Sequence, residues 1–105
     1  MSRPAPMPKI LAEDGHVDQV RQEFASYDGL EHLRVRRRAE LVVVESGPAD
    51  APVRHARFRR VAARIWVLEM ATHTGRWQPS GVEGPLERLV ETLITDFGWT
   101  LSRIV

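Results

Sequence analysis

The sequence contains no cysteine, only one lysine and no long apolar run. Without cysteine there is no disulfide, no thiolate zinc site and no cysteine nucleophile, so packing alone must stabilise the fold. A membrane span needs about 18 consecutive apolar residues, and no stretch of the chain approaches that length. The first ten residues also lack the apolar core of a secretory signal. We therefore expect a cytoplasmic protein without membrane association.

The composition indicates one globular domain. Of the 105 residues, 43% are hydrophobic and 28% are charged, proportions that exclude a disordered chain. Residues 1–12 begin with a segment that holds three prolines in its first eight positions, and we predict that they form a flexible arm. Residues 13–105 are predicted to form a single domain.

Charge is segregated along the chain. Residues 34–76 carry ten basic and four acidic groups, a net charge of +6. Residues 1–33 carry three basic and six acidic groups (−3), and residues 77–105 carry two and four (−2). This asymmetry is typical of a face that binds an anionic partner, and equally of oppositely charged segments that pair with each other.

Hydrophobic periodicity predicts a helix near each end of the chain. The first covers residues 15–27, where apolar residues are spaced by three, four and three. The second follows Gly84, has Pro85 at its first position and stops at Gly98. Its apolar residues also recur at helical spacing and include Leu86, Leu89, Val90, Leu93, Ile94 and Phe97.

Between the helices, alternating and β-branched residues predict three to five antiparallel strands. The strand segments are LRVRRR with ELVVVE, HARFRRV, IWVLEM and RWQPSGV. Uninterrupted alternation would place Arg37 on the same face as Leu33 and Val43, so the first segment requires a break near Arg37 to Ala39. A bulge and a very tight turn both satisfy this requirement. Residues 99–105 are predicted to be a last edge strand or a docked tail.

These elements predict an α+β fold, an antiparallel sheet of four to five strands with two amphipathic helices packed on one face. The predicted order is α-β-β-β-β-α, with or without a final strand. ELVVVE and IWVLEM are apolar on both sides, so two helices cannot cover both faces of these strands. We therefore predict a two-fold homodimer, formed through the second face of the sheet or through an edge strand such as residues 40–45, whose interface includes Val42, Val44 and Trp66.

Four short motifs follow one another between residues 55 and 101. They are Ala56-Arg57-Phe58-Arg59, Trp66-Val67-Leu68, Gly75-Arg76-Trp77 and Asp96-Phe97-Gly98. In this order they resemble a family of small bacterial proteins of uncharacterised function. The resemblance implies a layout of strands followed by a helix, and it implies no activity, cofactor or ligand.

The arginine-rich strands carry the candidate binding site. Arg34, Arg36 and Arg38 project from one side of their strand, and pairing with the next strand would merge them with a second basic row. That row is His55, Arg57 and Arg59. Such a patch with aromatic rings would suit single-stranded nucleic acid, whereas solvated or internally paired arginines are the more usual use of such strands. The remaining candidates for this site are Trp66, Arg76 and Trp77.

Catalytic and metal chemistry find little support in the sequence. The four histidines follow no metal-binding spacing, and Glu69 with His73 supplies only two ligands at a strand turn. Ser80 lies in no nucleophile elbow. We therefore predict no catalytic residue, metal or cofactor. The preferred function is that of a homodimeric, non-catalytic interaction protein that binds an unidentified macromolecule through a sheet face or edge. Nucleic-acid binding is the alternative, and a small metal-dependent enzyme is the third.

Overall fold

The computed structural model describes residues 9–102. The strands form one antiparallel sheet whose spatial order follows the chain, β1-β2-β3-β4-β5. The predicted α+β class, with two helices and an antiparallel sheet, is confirmed, and the sheet has five strands. The elements are α1 (Asp14–Ala25), β1 (Arg34–Arg38), β2 (Leu41–Ser46), β3 (Val53–Ala62), β4 (Ile65–Ala71), β5 (Trp77–Gly84), α2 (Leu86–Asp96) and a C-terminal 3₁₀ turn (Gly98–Leu101).

Both helices pack on the same side of the sheet, which we call the helix face; the other side is the open face. Residues at helical spacing on α1 and α2 meet residues at alternate strand positions in one core. No helix within residues 9–102 is long and apolar enough to cross a membrane. The largest fully buried side chains are Trp66, Phe58, Leu68, Leu89, Leu93 and Leu101.

The chain passes from β1 to β2 in a two-residue turn. Arg38 pairs with Leu41, and Ala39 between them has a φ of +51°. A two-residue hairpin favours a turn with positive φ at its centre, because its twist matches that of the strands. Of the two alternatives left open by the sequence, the tight turn is therefore the one that forms. It aligns Val35 with Val44, both of them buried in the core.

The predicted dimer interface lies in the interior of the single chain. Val42 and Val44 are fully buried and Trp66 is 2% exposed, all three in the core of the helix face. They offer no surface to a second copy, so these three residues were wrongly predicted as an interface. Residues 40–45 do not form an edge strand either, because β2 lies between β1 and β3. On the open face, Val43 is shielded from water without a helix. It is 4% exposed and lies between Arg36 and Arg57 in the strand register. The long arginine side chains can cover apolar surface with their methylene groups.

Both ends of the described part of the chain contact the domain. Ala12 was predicted to belong to the flexible arm, but it is buried, and its N–H donates to the Ala39 carbonyl at 2.9 Å. Residues 1–8 of the predicted arm lie outside the described residues. At the other end, Gly98–Leu101 forms a docked 3₁₀ turn with Leu101 buried, as the docked-tail alternative predicts for this part of the tail, while residues 103–105 lie outside the described residues.

Candidate functional site

A network of arginine and glutamate side chains crosses the open face. Arg57 Nε donates to Glu69 Oε1 at 3.0 Å, and Arg59 Nε donates to the same oxygen at 3.1 Å. Arg59 Nη1 also donates to Glu40 Oε1 at 2.8 Å. Lys9 Nζ lies 3.8 Å from that Glu40 oxygen. The strand register places Arg57 directly opposite Glu69 on β4, which explains why the two charges meet.

Two carboxylates that pair with arginines of the open face, those of Glu40 and Glu45, are buried, and among residues 9–102 only one oxygen of each accepts a hydrogen bond. Glu40 is 6% exposed and Glu45 is 5% exposed. Arg36 Nε donates to Glu45 Oε1 at 2.8 Å, yet Oε2 of both glutamates has no hydrogen-bond partner in the part of the chain that the structure describes. The backbone N–H of Glu40 holds the pKa of its carboxyl below the usual value, assisted by Lys9 and Arg59 and opposed by desolvation. Glu40 is therefore ionised at neutral pH, and its Oε2 is enclosed by the chain.

Five of the predicted basic residues lie on the open face, but β2 separates the arginines of β1 from those of β3, so the two rows do not pair directly. Three of the five are neutralised by Glu40, Glu45 and Glu69. Arg34 and Arg38 have no carboxylate partner within residues 9–102, and Arg34 Nη1 donates to the Gly47 carbonyl. The five residues are Arg34, Arg36, Arg38, Arg57 and Arg59.

The aromatic candidates divide between the two faces. Trp77 is half-buried, and the guanidinium carbon of Arg57 lies 4.3 Å from its ring centre, a cation–π contact. Arg76, just before β5, is exposed. Trp66, in contrast, lies in the core with the His16 ring 4.8 Å from it, so it cannot serve the basic patch as predicted.

His55 was also predicted to lie on the basic patch, and it does not. The pairing of β2 with β3 shifts between Val44 and Glu45, and this bulge gives the β3 segment one extra residue. As a result, His55 is buried beside Ala56 instead of alternating with it. The sequence contained no signal for this bulge, because a bulge depends on how two strands align.

The structure reveals a cluster that the sequence did not indicate, which we call the histidine clasp. His55 Nδ1 lies 2.6 Å from the Thr100 carbonyl oxygen and Nε2 lies 2.7 Å from Ser46 Oγ. His32 Nε2 lies 2.7 Å from the Leu101 carbonyl oxygen, with the two rings 6.0 Å apart. Burial lowers the pKa of His55, and the hydrogen bond to Thr100 offsets this only in part. The clasp holds the C-terminal 3₁₀ turn against β3.

The residues considered for metal chemistry are not brought together. Within residues 9–102 there is no group of three or more acidic or histidine side chains that could hold a metal ion. The Glu69 carboxylate is occupied by Arg57 and Arg59, while His73 is exposed in the β4–β5 turn. Glu69 is therefore the shared ion-pair partner of two arginines, and His73 is an exposed turn residue.

Comparison with protein-family models, with curated proteins and with solved structures gives no match for this chain. The resemblance of residues 55–101 to a bacterial family stays a prediction. Any functional proposal must therefore rest on the geometry of the open face and its edges.

Proposed function

We propose that this chain is a cytoplasmic, non-catalytic binding module that engages a second protein chain through the open face of its sheet. The observation that carries the proposal is the open face itself, on which no helix within residues 9–102 packs and where the apolar side chains of Leu41, Val67 and Trp77 are only half-buried. Removing apolar surface from water is favourable. A second chain that packs on this face would bury these side chains further.

The proposed partner is a second copy of the chain. The open face carries both kinds of charged group that such a contact needs, since Arg34 and Arg38 have donors without a carboxylate partner among residues 9–102 and Glu83 on β5 presents an exposed carboxylate. In a two-fold dimer the same patch meets itself, so the donors of one copy can face the acceptors of the other. Complementary charges of this kind fix the register of an interface.

Binding of single-stranded nucleic acid is the weaker alternative. A phosphate on the open face would meet the carboxylates of Glu40, Glu45 and Glu69, and these already neutralise three of its arginines. One side of the Trp77 ring is also occupied by Arg57. Both contacts reduce what the face can offer to a nucleotide.

Sedimentation equilibrium at micromolar concentration tests the proposal. We expect a mass of about twice the 12.0 kDa of one chain. The substitution Val67→Lys adds a charge at a half-buried position of the open face, between Arg59 and Glu83 in the register, and should convert the dimer to a monomer. The control Gln22→Lys adds the same charge on the exposed side of α1 and should leave the dimer intact. A wild-type chain that stays monomeric throughout this range refutes the proposal.

A further inference from the structure

We infer that the free edge of β1 binds an acidic, extended segment of another protein, which adds to the sheet as a sixth strand. This inference rests on the proposed protein-binding function and names a second surface for it. β1 and β5 are the two edge strands of the sheet. An edge strand exposes peptide N–H and C=O groups that can pair with an added strand.

β1 is a regular strand, and the peptide groups of two of its residues, Val35 and Arg37, point away from β2. Arg21, which lies on α1, donates from Nη2 to the Val35 carbonyl at 3.0 Å, so this carbonyl points away from β2. Peptide groups alternate along a strand, and those of Arg37 therefore point to the same side. No backbone group within residues 9–102 bonds to the outward groups of these two residues. Arg37 can exchange two hydrogen bonds with a residue of an added strand. At Val35 the N–H can donate to that strand, and the carbonyl would exchange the Arg21 guanidinium for the added N–H.

The other edge is poorly suited to strand addition. Pro79 in β5 has no N–H, and Gly81 has a φ of +81°, outside the extended region. The register of β5 on β4 also shifts between Val67 and Glu69. β1, in contrast, pairs with β2 residue by residue without a shift.

The side chains of β1 select an acidic partner. Four of its five residues are arginines, and Arg34 and Arg38 have no carboxylate partner in the described part of the chain. An added strand places its alternate side chains beside those of β1, where opposite charges are favourable and like charges are unfavourable. Pairing of β1 with β1 of a second copy would bring arginine beside arginine. The occupant is therefore not another copy of this edge.

A cleft of about 330 Å³ lies beside the same edge. Its apolar lining comes from Phe24 on α1, from Leu30 and Leu33 in the following loop, and from Val35 on β1, while charged residues, Arg21, Asp28 and Glu31, also line it. Val35 points to the helix face, so a residue added opposite it would also point there, towards the cleft. The expected segment thus has glutamate or aspartate on its open-face positions and one apolar residue opposite Val35.

The experiment uses a fluorescein-labelled peptide with the central order Glu-Thr-Glu-Val-Glu, which places its valine opposite Val35 in an antiparallel pair. Anisotropy titration against the full chain should show binding that is about tenfold tighter than that of the matched Lys-Thr-Lys-Val-Lys peptide. A third peptide keeps the glutamates and carries N-methyl groups on its Thr and Val amides. We expect it to bind about tenfold more weakly, because those amides would bond to β1.

Variants of the chain give the second arm of the test. The double variant Arg34→Glu with Arg38→Glu should weaken binding of the acidic peptide about tenfold. The matched control, Arg64→Glu with Arg88→Glu, makes the same charge change at exposed residues away from β1 and should bind within about twofold of wild type. Hydrogen exchange at the amides of Val35 and Arg37 should slow when the acidic peptide binds.

Three outcomes would overturn the inference. The acidic peptide fails to bind, or the N-methylated peptide binds as well as its parent, which would indicate anion attraction without strand addition. The third is equal binding to the β1 double variant and to wild type. Failure of this inference can be distinguished from failure of the proposed function. A chain that dimerises and does not bind the peptide refutes only the strand addition. A monomeric chain that binds the peptide refutes only the dimer.

Discussion

Removal of one side chain of the histidine clasp should destabilise the whole domain. His55 is 2% exposed and makes two short contacts, with the Thr100 carbonyl and with Ser46 Oγ. In the variant His55→Ala both partners lose their hydrogen bond in a buried site, and the missing ring leaves a cavity. At about 1 kcal/mol for each bond and a further 1 kcal/mol or more for the stranded groups and cavity, we expect a loss of about 3 kcal/mol.

Urea denaturation at about pH 7.5, followed by tryptophan fluorescence, measures this loss. A decrease of about 3 kcal/mol is a large part of the 5–15 kcal/mol by which small domains are stable. The control His73→Ala changes an exposed turn residue without a partner in residues 9–102 and should alter stability by less than about 0.5 kcal/mol. A loss below about 0.5 kcal/mol for His55→Ala would show that the clasp does not hold the C-terminal turn.

The same residue makes stability depend on pH. Burial places the pKa of His55 below the usual value of 6.5, so folding favours the neutral ring. The stabilisation is complete above about pH 6.5 and is lost as the pH falls through the lowered pKa of the folded state. His16, whose pKa is also lowered by burial, acts in the same direction. Wild type should therefore lose stability as the pH falls below about 7, and His55→Ala should lose less; equal losses would contradict the assignment.

Three further predictions concern the turn and the open face. Ala39→Gly should raise the free energy of unfolding by about 0.5–1 kcal/mol in thermal melts, because glycine adopts the φ of +51° without strain; a lower melting temperature would contradict this. Glu69→Gln should lower the free energy of unfolding by about 1–2 kcal/mol in urea denaturation, because Arg57 and Arg59 lose their shared carboxylate. An unchanged free energy of unfolding would mean that water solvates the network. Binding of a labelled single-stranded oligonucleotide should weaken with salt at a log–log slope no steeper than about −1.4, two phosphate contacts; a slope near −3.5 would favour the nucleic-acid alternative.

Local patterns determined the elements of this protein. The apolar spacing from Leu86 to Phe97 predicted α2, and alternation around Phe58 predicted β3 with the correct side in the core. These features were readable because a helix or strand with one buried face must repeat its apolar residues at the period of its own geometry. The sequence also required a break near Arg37, because the alternation there changes phase.

The arrangement of those elements was decided by the tertiary structure. The bulge that turns His55 into the interior and the ion pairs that occupy Arg57 depend on how neighbouring strands align. The two-residue turn at Ala39 buries Val44 where the sequence suggested a second exposed apolar face. Composition and periodicity describe a strand by itself, whereas partners and register arise only when residues far apart in the chain meet. For that reason the fold class could be read from the sequence, and the satisfied arginines, the buried carboxylates and the histidine clasp could not.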